Sequence, residues 1–187
     1  MYHSEDPPHR LFLGVPLSNK ITSPMIELGN SLNNLKGIRW IPEQNLHVTV
    51  FFFGNVKAEM IENLISLIQV GLKNIRPFQL EFDQYTLAPR PKDPRMIWAR
   101  YKKEPAFKEL VESMQVLYEQ IAPRQQNRKS PIPHITLARL KHFDPDTKLD
   151  LQRHLPPQIL KVGEVVLWKS ELRPEGADYR VVERFNL

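Results

Sequence analysis

Two short strings of the same design, one in each half of the chain, combine residues that could carry out acid and base chemistry. They are His47-Val48-Thr49-Val50 and His134-Ile135-Thr136-Leu137. In each string an imidazole and a hydroxyl stand two residues apart in a run typical of a β-strand, so both side chains leave the same face of a sheet. Two histidines can supply one general base and one general acid. That is the minimum apparatus for opening a cyclic phosphodiester without a metal ion.

The repetition of the motif decides between a structural and a functional interpretation. A single histidine on a strand is more often a hydrogen-bonded residue of the core, but a second His-x-Thr string in the other half is hard to attribute to packing. We therefore expect His47 and His134 to share one phosphate site, with Thr49 and Thr136 donating hydrogen bonds to phosphate oxygens. The spacing predicts that residues 1–187 form a single bilobal domain of two pseudo-symmetric halves, each carrying one motif.

The composition fits a small globular enzyme and excludes several kinds of site. Hydrophobic residues make up 41% of the 187 residues, which is enough for a continuous core. The absence of cysteine excludes disulfides, thiolate catalysis and cysteine-based zinc sites. A net charge of +5 favours polyanionic partners. The N-terminus has no hydrophobic signal core and no apolar run approaches the ~20 residues that span a membrane, so we expect a cytoplasmic protein without membrane association. We also expect a monomer.

The remaining histidines do not form a metal-binding pattern. They lie in polar surroundings, where solvated surface roles are expected: His3, His9, His142 and His154. The sequence has no His-x-His or HExxH string and no acidic cluster beside either motif, so the ligand set of a catalytic zinc or two-metal site is not met. We expect no metal site.

Several cations flank the two motifs and could stabilise charge that develops on phosphorus. They are Arg39, Arg128, Lys129, Arg139 and Lys141. Solvated loop positions are the more ordinary interpretation for Arg128 and Lys129. Arg139 is an odd number of residues from His134, so ideal alternation points it away from the site unless the strand ends or bulges.

Strands and helices alternate in both halves of the chain, which predicts a fold rich in both elements, with an approximate duplication. Apolar residues three and four apart indicate helices, and runs rich in β-branched and aromatic residues indicate strands. We expect strands at 10–16, 38–41, 47–53, 78–87, 96–101, 158–169 and 178–186, helices from Ile21 to Leu35 and at 57–73, 107–121 and near 144–154, and loops at 88–95 and 124–133.

Alternation along the first motif strand also predicts which aromatic residues reach the site. Phe51 and Phe53 should share the face of His47 and Thr49, and Phe52 should lie on the opposite face. An aromatic residue is expected to stack on the base of a nucleotide. The sequence does not choose among Phe12, Phe51, Phe53 and Trp98, and Trp98 fits the core better.

Longer matching strings around both motifs resemble a known family. The chain is similar over nearly its full length to bacterial and archaeal RNA 2′,3′-cyclic phosphodiesterases, formerly called 2′-5′ RNA ligases, of the two-histidine phosphoesterase superfamily. The strings that carry the resemblance are Arg10-Leu11-Phe12, Arg39 to Thr49, Phe52-Phe53-Gly54, Pro94 to Trp98, Pro133 to Arg139 and Leu167 to Leu172, together with Gly176 and Tyr179.

The resemblance implies a bilobal α+β fold in which two antiparallel sheets face a central cleft, with helices on the outside and a pseudo-twofold between the halves. It implies neither a metal nor an organic cofactor. It assigns catalysis to His47 and His134 with Thr49 and Thr136, and it matches Arg139 to the arginine that contacts the phosphate. The sequence departs from the family at Phe51, where many relatives carry a polar or basic residue.

The expected reaction is hydrolysis of a terminal RNA 2′,3′-cyclic phosphate to a 2′-phosphate. The two motifs are nearly symmetric and do not order the histidines, but we expect His134 to act as the base and His47 as the acid. Alternative activities in the same cleft are 2′-5′ RNA ligation by reversal and hydrolysis of a small cyclic nucleotide or an ADP-ribose cyclic phosphate. A non-catalytic RNA-binding module is the alternative from another class, and the presence of both histidines favours the enzyme.

Overall fold

The computed structural model describes residues 8–121, 131–141, 143, 147, 149–151, 157, 159–173 and 176–187. Over these residues the chain folds into strands and three α-helices. The helices are α1 Asn19–Ser31, α2 Ile61–Leu72 and α3 Pro105–Ile121. The strands are β1 His9–Val15, β2 Ile38–Trp40, β3 Val48–Val56, β4 Phe78–Leu80, β5 Phe82–Arg90, β6 Asp93–Tyr101, β7 His134–Leu140, β8 Leu160–Val162, β9 Glu164–Arg173 and β10 Gly176–Asn186.

One large antiparallel sheet brings the two motif strands side by side. Its order is β10-β9-β1-β3-β7-β6-β5, with β2 also pairing with β7, while β4 and β8 form a second, small sheet. The two central strands meet at one pair, Val48 with Ile135. We call β10, β9, β1 and β3 the His47 half, and β7, β6, β5 and β2 the His134 half. His47 immediately precedes β3 and His134 opens β7, so both motifs lie at the centre of the sheet.

Helices α2 and α3 pack together behind the first motif strand. The Ser113 hydroxyl of α3 donates to the Gly71 carbonyl of α2 at 2.8 Å, and the Tyr118 hydroxyl donates to the Phe53 carbonyl of β3 at 2.6 Å. The second bond ties α3 directly to the strand that follows His47. None of the described helices is long and apolar enough to cross a membrane.

The mixed fold with antiparallel sheets is confirmed, but parts of the predicted pattern of elements are wrong. The proline-rich stretch 88–95 is mostly strand, because β5 and β6 continue as a hairpin in which Arg90 pairs with Asp93. The first helix ends at Ser31 rather than Leu35. The predicted loop at 124–133 and short helix near 144–154 lie largely outside the described residues.

Candidate active site

A bulge in β7 decides where the second motif directs its side chains. Trp98 of β6 pairs with Thr136, but the preceding residue of β6, Ile97, pairs with Ala138, so Leu137 is an extra residue in β7. One extra residue reverses the alternation of side chains along a strand. Arg139 therefore returns to the face of Thr136 and lines the same cavity. The resemblance predicted this placement of Arg139, and simple alternation did not.

The same bulge follows the first motif. Gly14 of β1 pairs with Thr49, whereas Leu13 pairs with Phe51, which leaves Val50 as the extra residue. The side chain that lines the cavity after Thr49 is consequently that of Phe52.

The predicted orientation of the three phenylalanines is therefore wrong. Phe52 is 59% exposed and borders the cavity, whereas Phe53 is 1% exposed. Phe51 packs against the rings of Phe53 and Tyr118, with ring centroids 5.1 and 5.6 Å apart. Because Phe51 belongs to this packing, its departure from the family pattern removes no cavity contact.

The residues singled out by the sequence converge on one small cavity of about 80 Å³. We call this cavity the cleft. Its lining contains both histidines, both threonines and the arginine of the two motifs, and the complete set is Ile41, Asn45, His47, Thr49, Phe52, His134, Thr136, Arg139 and Tyr179. Their placement together is as predicted, and their roles stay predictions.

Both imidazoles are oriented by the backbone two residues before them. Nδ1 of His47 donates to the Asn45 carbonyl at 2.7 Å, and Nδ1 of His134 donates to the Ile132 carbonyl at 2.8 Å. A carbonyl only accepts, so Nδ1 carries the proton and Nε2 of each neutral ring is left to exchange one. The Thr49 hydroxyl lies 3.1 Å from Nε2 of His47. Each ring is thus held in the tautomer that a general base requires.

Aromatic rings fix the plane of each imidazole. The indole of Trp98 stacks on His134 with ring centroids 3.8 Å apart and planes 24° apart. His47 is surrounded more loosely, by Phe12 at 4.8 Å, Tyr179 at 5.4 Å and Trp168 at 5.7 Å. Trp98 thus serves the site as well as the core.

Gly14 permits the close packing around His47. A Cβ at this position would stand 2.7 Å from the Val48 carbonyl oxygen, 3.0 Å from the Trp168 ring and 3.4 Å from the His47 ring. The first of these distances is shorter than van der Waals contact allows, so any larger residue would displace the backbone beside the motif. The sequence contains no local signal for this requirement, since Gly14 lies within an ordinary strand.

Burial, a backbone hydrogen bond and, for His47, the charge of the other histidine set the protonation of the two rings. Burial lowers the pKa of His47, its bond to the Asn45 carbonyl raises that pKa, and the nearby charge of His134 lowers it further. Burial also lowers the pKa of His134, opposed by the bond to the Ile132 carbonyl. Both shifts are downward from the ordinary pKa of 6.5. Both rings are therefore mainly neutral at pH 7 and available as proton acceptors.

Three of the five cations predicted near the motifs lie among the described residues, and they separate into two groups. Arg139 lines the cleft, and Arg39 of β2 pairs with it across the strands. Lys141 is exposed just beyond β7 and does not line the cleft. Arg128 and Lys129 lie outside the described residues.

Tyr179 adds a hydroxyl to the cleft that the motif analysis did not assign. Burial raises the pKa of this phenol, while the charges of Arg139 and Arg10 lower it. The net shift is upward, so the hydroxyl stays protonated at neutral pH and can donate a hydrogen bond. Within the described part of the chain, no three His, Asp or Glu side chains come together as a possible metal site.

Comparison with known proteins places this geometry in a family. The family model of the 2′-5′ RNA ligase superfamily matches residues 27–174. A relative from Aquifex aeolicus, named RNA 2′,3′-cyclic phosphodiesterase, is 31% identical over 80% of this chain and 81% of its own length. A relative of the same name from Methanothermobacter thermautotrophicus is 26% identical over 95% of this chain and 98% of its own length.

A solved structure from Thermus thermophilus has the same fold. It is 27% identical, with a TM-score of 0.80 over 95% of this chain and 97% of that one. The matched range of the family model includes both His-x-Thr motifs and most of the chain. On this match, the chain belongs to the 2′-5′ RNA ligase superfamily.

Proposed function

We propose that the protein hydrolyses the 2′,3′-cyclic phosphate at the end of an RNA chain to a 2′-phosphate, without a metal ion. The observation that carries the proposal is the pairing of two imidazoles, each anchored through Nδ1, on one cavity that also receives the Arg139 side chain. Paired imidazoles suit proton transfer to and from oxygen, and a guanidinium suits a phosphate. The names of the relatives agree with this activity.

The proposed reaction is an in-line displacement at phosphorus. A neutral imidazole removes a proton from water as the water oxygen bonds to phosphorus. The other imidazole, protonated beforehand, donates its proton to the ribose O3′ as the bond from phosphorus to O3′ breaks. Arg139 would balance the charge on the non-bridging oxygens, and the hydroxyls of Thr49 and Thr136 would hydrogen bond to them.

We propose His134 as the base and His47 as the acid, and this order requires its own test. In the protein alone burial lowers the pKa of both histidines, so a pH profile by itself does not separate the acid from the base. A substrate in which sulfur replaces O3′ has a leaving group that needs no proton. With that substrate, His47→Ala should recover activity and His134→Ala should not. Recovery by His134→Ala alone would reverse the order.

Phe52 is the residue proposed to stack on the terminal base. Its ring is exposed, borders the cleft and lies 5.8 Å from the ring of Phe12. Every base has an aromatic face, so such a platform accepts different terminal nucleotides. RNA ends and small cyclic nucleotides are the proposed substrates.

The direct test is incubation with an oligonucleotide that ends in a 2′,3′-cyclic phosphate. Phosphorus NMR against authentic 2′- and 3′-phosphate standards should show the 2′-phosphate, with internal linkages intact and the rate unchanged by EDTA. His134→Ala prepared in parallel controls for contaminating nucleases. A 3′-phosphate product, cleavage within the chain, or loss of activity in EDTA restored by a divalent ion would contradict the proposal.

A further inference from the structure

Beyond the motif residues, a polar row crosses the His47 half next to the cleft. Arg10 of β1 pairs with Ser170 of β9 and with Asn55 of β3, and Ser170 pairs in turn with Tyr179 of β10. Arg10 is two residues before Phe12, so both side chains leave the same face of β1. Phe12 contacts the rings of His47, Phe52 and Tyr179. Arg10 therefore borders the aromatic side of the cleft, roughly 7 Å further along the sheet.

The charge of Arg10 is available for an anion. Within the described ranges no carboxylate lies at ion-pair distance from Arg10. Its charge is felt by the Tyr179 hydroxyl, which lines the cleft. Arg100, the residue that pairs with His134 on the other side, is instead held by Asp83 at 2.7 Å. Of these two arginines beside the cleft, Arg10 is therefore the one without a carboxylate partner in the described part of the chain.

We infer that Arg10 binds the phosphodiester that joins the terminal nucleotide to the rest of an RNA chain, which makes an oligonucleotide a better substrate than a mononucleotide. This inference rests on the proposed function. The motif residues and Arg139 account for the terminal phosphate, and Phe52 for the base. The remaining anion of an RNA end is the next phosphate along the chain, and a guanidinium one row beyond the base platform is suited to it.

The test compares three substrates: a nucleoside 2′,3′-cyclic phosphate, a dinucleotide ending in the same group, and that dinucleotide with an uncharged methylphosphonate linkage. For the wild-type protein kcat/KM should be roughly tenfold higher for the charged dinucleotide than for the neutral one, the scale of one charge-assisted hydrogen bond at an exposed site. Arg10→Gln should remove this difference. Arg76→Gln, a change at an exposed arginine beyond α2, should keep it.

Several results would overturn the inference. Equal rates on the two dinucleotides in the wild-type protein would show that the linkage is not recognised. An equal loss on the nucleoside and the dinucleotide in Arg10→Gln would place Arg10 on the terminal phosphate instead. Absence of hydrolysis with all three substrates would refute the proposed function. Calorimetric affinities for the 2′-phosphate products, with neutral and charged linkages, would then decide on Arg10 without turnover.

Discussion

The two halves of the sheet build the same motif and then use the next part of the strand for different chemistry. In each half the His-x-Thr string is followed by one extra residue, and the fifth residue after the histidine lines the cleft. That residue is Phe52 in the His47 half and Arg139 in the His134 half. A nucleotide is itself asymmetric, with an apolar base and an anionic phosphate. The repeated backbone therefore supplies matched histidines, while one position in each half supplies the asymmetry.

The strands that pair with the two motif strands also differ between the halves. The residue opposite the motif threonine is Gly14 in the His47 half and Trp98 in the His134 half. Gly14 leaves room for Trp168, which reaches His47 from one strand further away. Trp98 instead stacks directly on His134. Both histidines meet an indole, but the contact is tight in one half and loose in the other.

Loss of either histidine should remove half of the acid–base chemistry that the two halves supply together. His47→Ala and His134→Ala should each reduce kcat by ~10²–10⁴, the scale of a positioned general acid or base. Rates with a cyclic-phosphate oligonucleotide and thermal melting curves would check this, with His9→Ala as the matched histidine control. Ordinary turnover in either motif variant would remove the basis of the proposed mechanism.

The two histidines could be found from the sequence because their signal is local. A His-x-Thr string in a strand needs only period-two alternation to place both side chains together, and the three main helices follow from their apolar spacing. Phe52 could not be placed this way, since the bulge at Val50 depends on pairing with β1. An alignment of the two motifs with each other does indicate the position of Phe52, because Phe52 and Arg139 are each the fifth residue after their histidine.

Other features depend on contacts that no local pattern contains. The three prolines of the stretch 88–95 predict a loop, yet hairpin pairing extends both strands into it. The need for glycine at Gly14 comes from the Val48 carbonyl and the Trp168 ring, both of which are distant in sequence. The carbonyls of Asn45 and Ile132 are likewise invisible in the sequence, because every residue has one.

Substitution of Arg139, which distinguishes the His134 half, should have the next largest effect on activity. Arg139→Ala removes a guanidinium from the cleft and should lower kcat/KM roughly 30-fold, whereas Lys141→Ala should change it less than about twofold. Steady-state kinetics on a cyclic-phosphate dinucleotide measure both. Equal effects of the two substitutions would mean that the bulge does not deliver Arg139 to the substrate.

The pH dependence of kcat/KM depends on the protonation of the histidine in each half. One imidazole must be neutral and the other protonated, so kcat/KM should follow a bell-shaped curve that falls about tenfold per pH unit on each side. Because burial lowers the pKa of both His47 and His134 from 6.5, the maximum should lie below that ordinary value. A pH series on both sides of it, at constant ionic strength, checks this. A maximum on the alkaline side of neutrality would contradict the electrostatic description of the cleft.

Substitution of Phe52, the counterpart of Arg139 in the His47 half, should have a smaller effect on activity and should act mainly on KM. Phe52→Ala should raise KM and lower kcat/KM roughly tenfold, the scale of one base stacked on an aromatic ring. Phe52→Leu keeps apolar volume without the aromatic face and should recover only part of the loss. Full activity of the leucine variant would show that Phe52 serves as an apolar wall and does not stack.

The smallest expected effect concerns the indole contacts, and it tests why the tight stack is found on His134. An indole face attracts a cation that lies over it, so Trp98 should stabilise the protonated form of His134 while also excluding water from it. Trp98→Leu keeps the apolar cover but removes the aromatic face. We expect the pKa of His134 to fall further, with a few-fold loss in kcat/KM. NMR titration of the His134 Cε1 proton measures the shift directly.

Trp168→Leu is the matched control in the other half, where the ring centroids of Trp168 and His47 are 5.7 Å apart and the ring planes are tilted by 49°. It should leave the pKa of His134 unchanged. A rise of that pKa in Trp98→Leu would show that the indole acts mainly by excluding water, and the difference between the halves would then be one of burial alone.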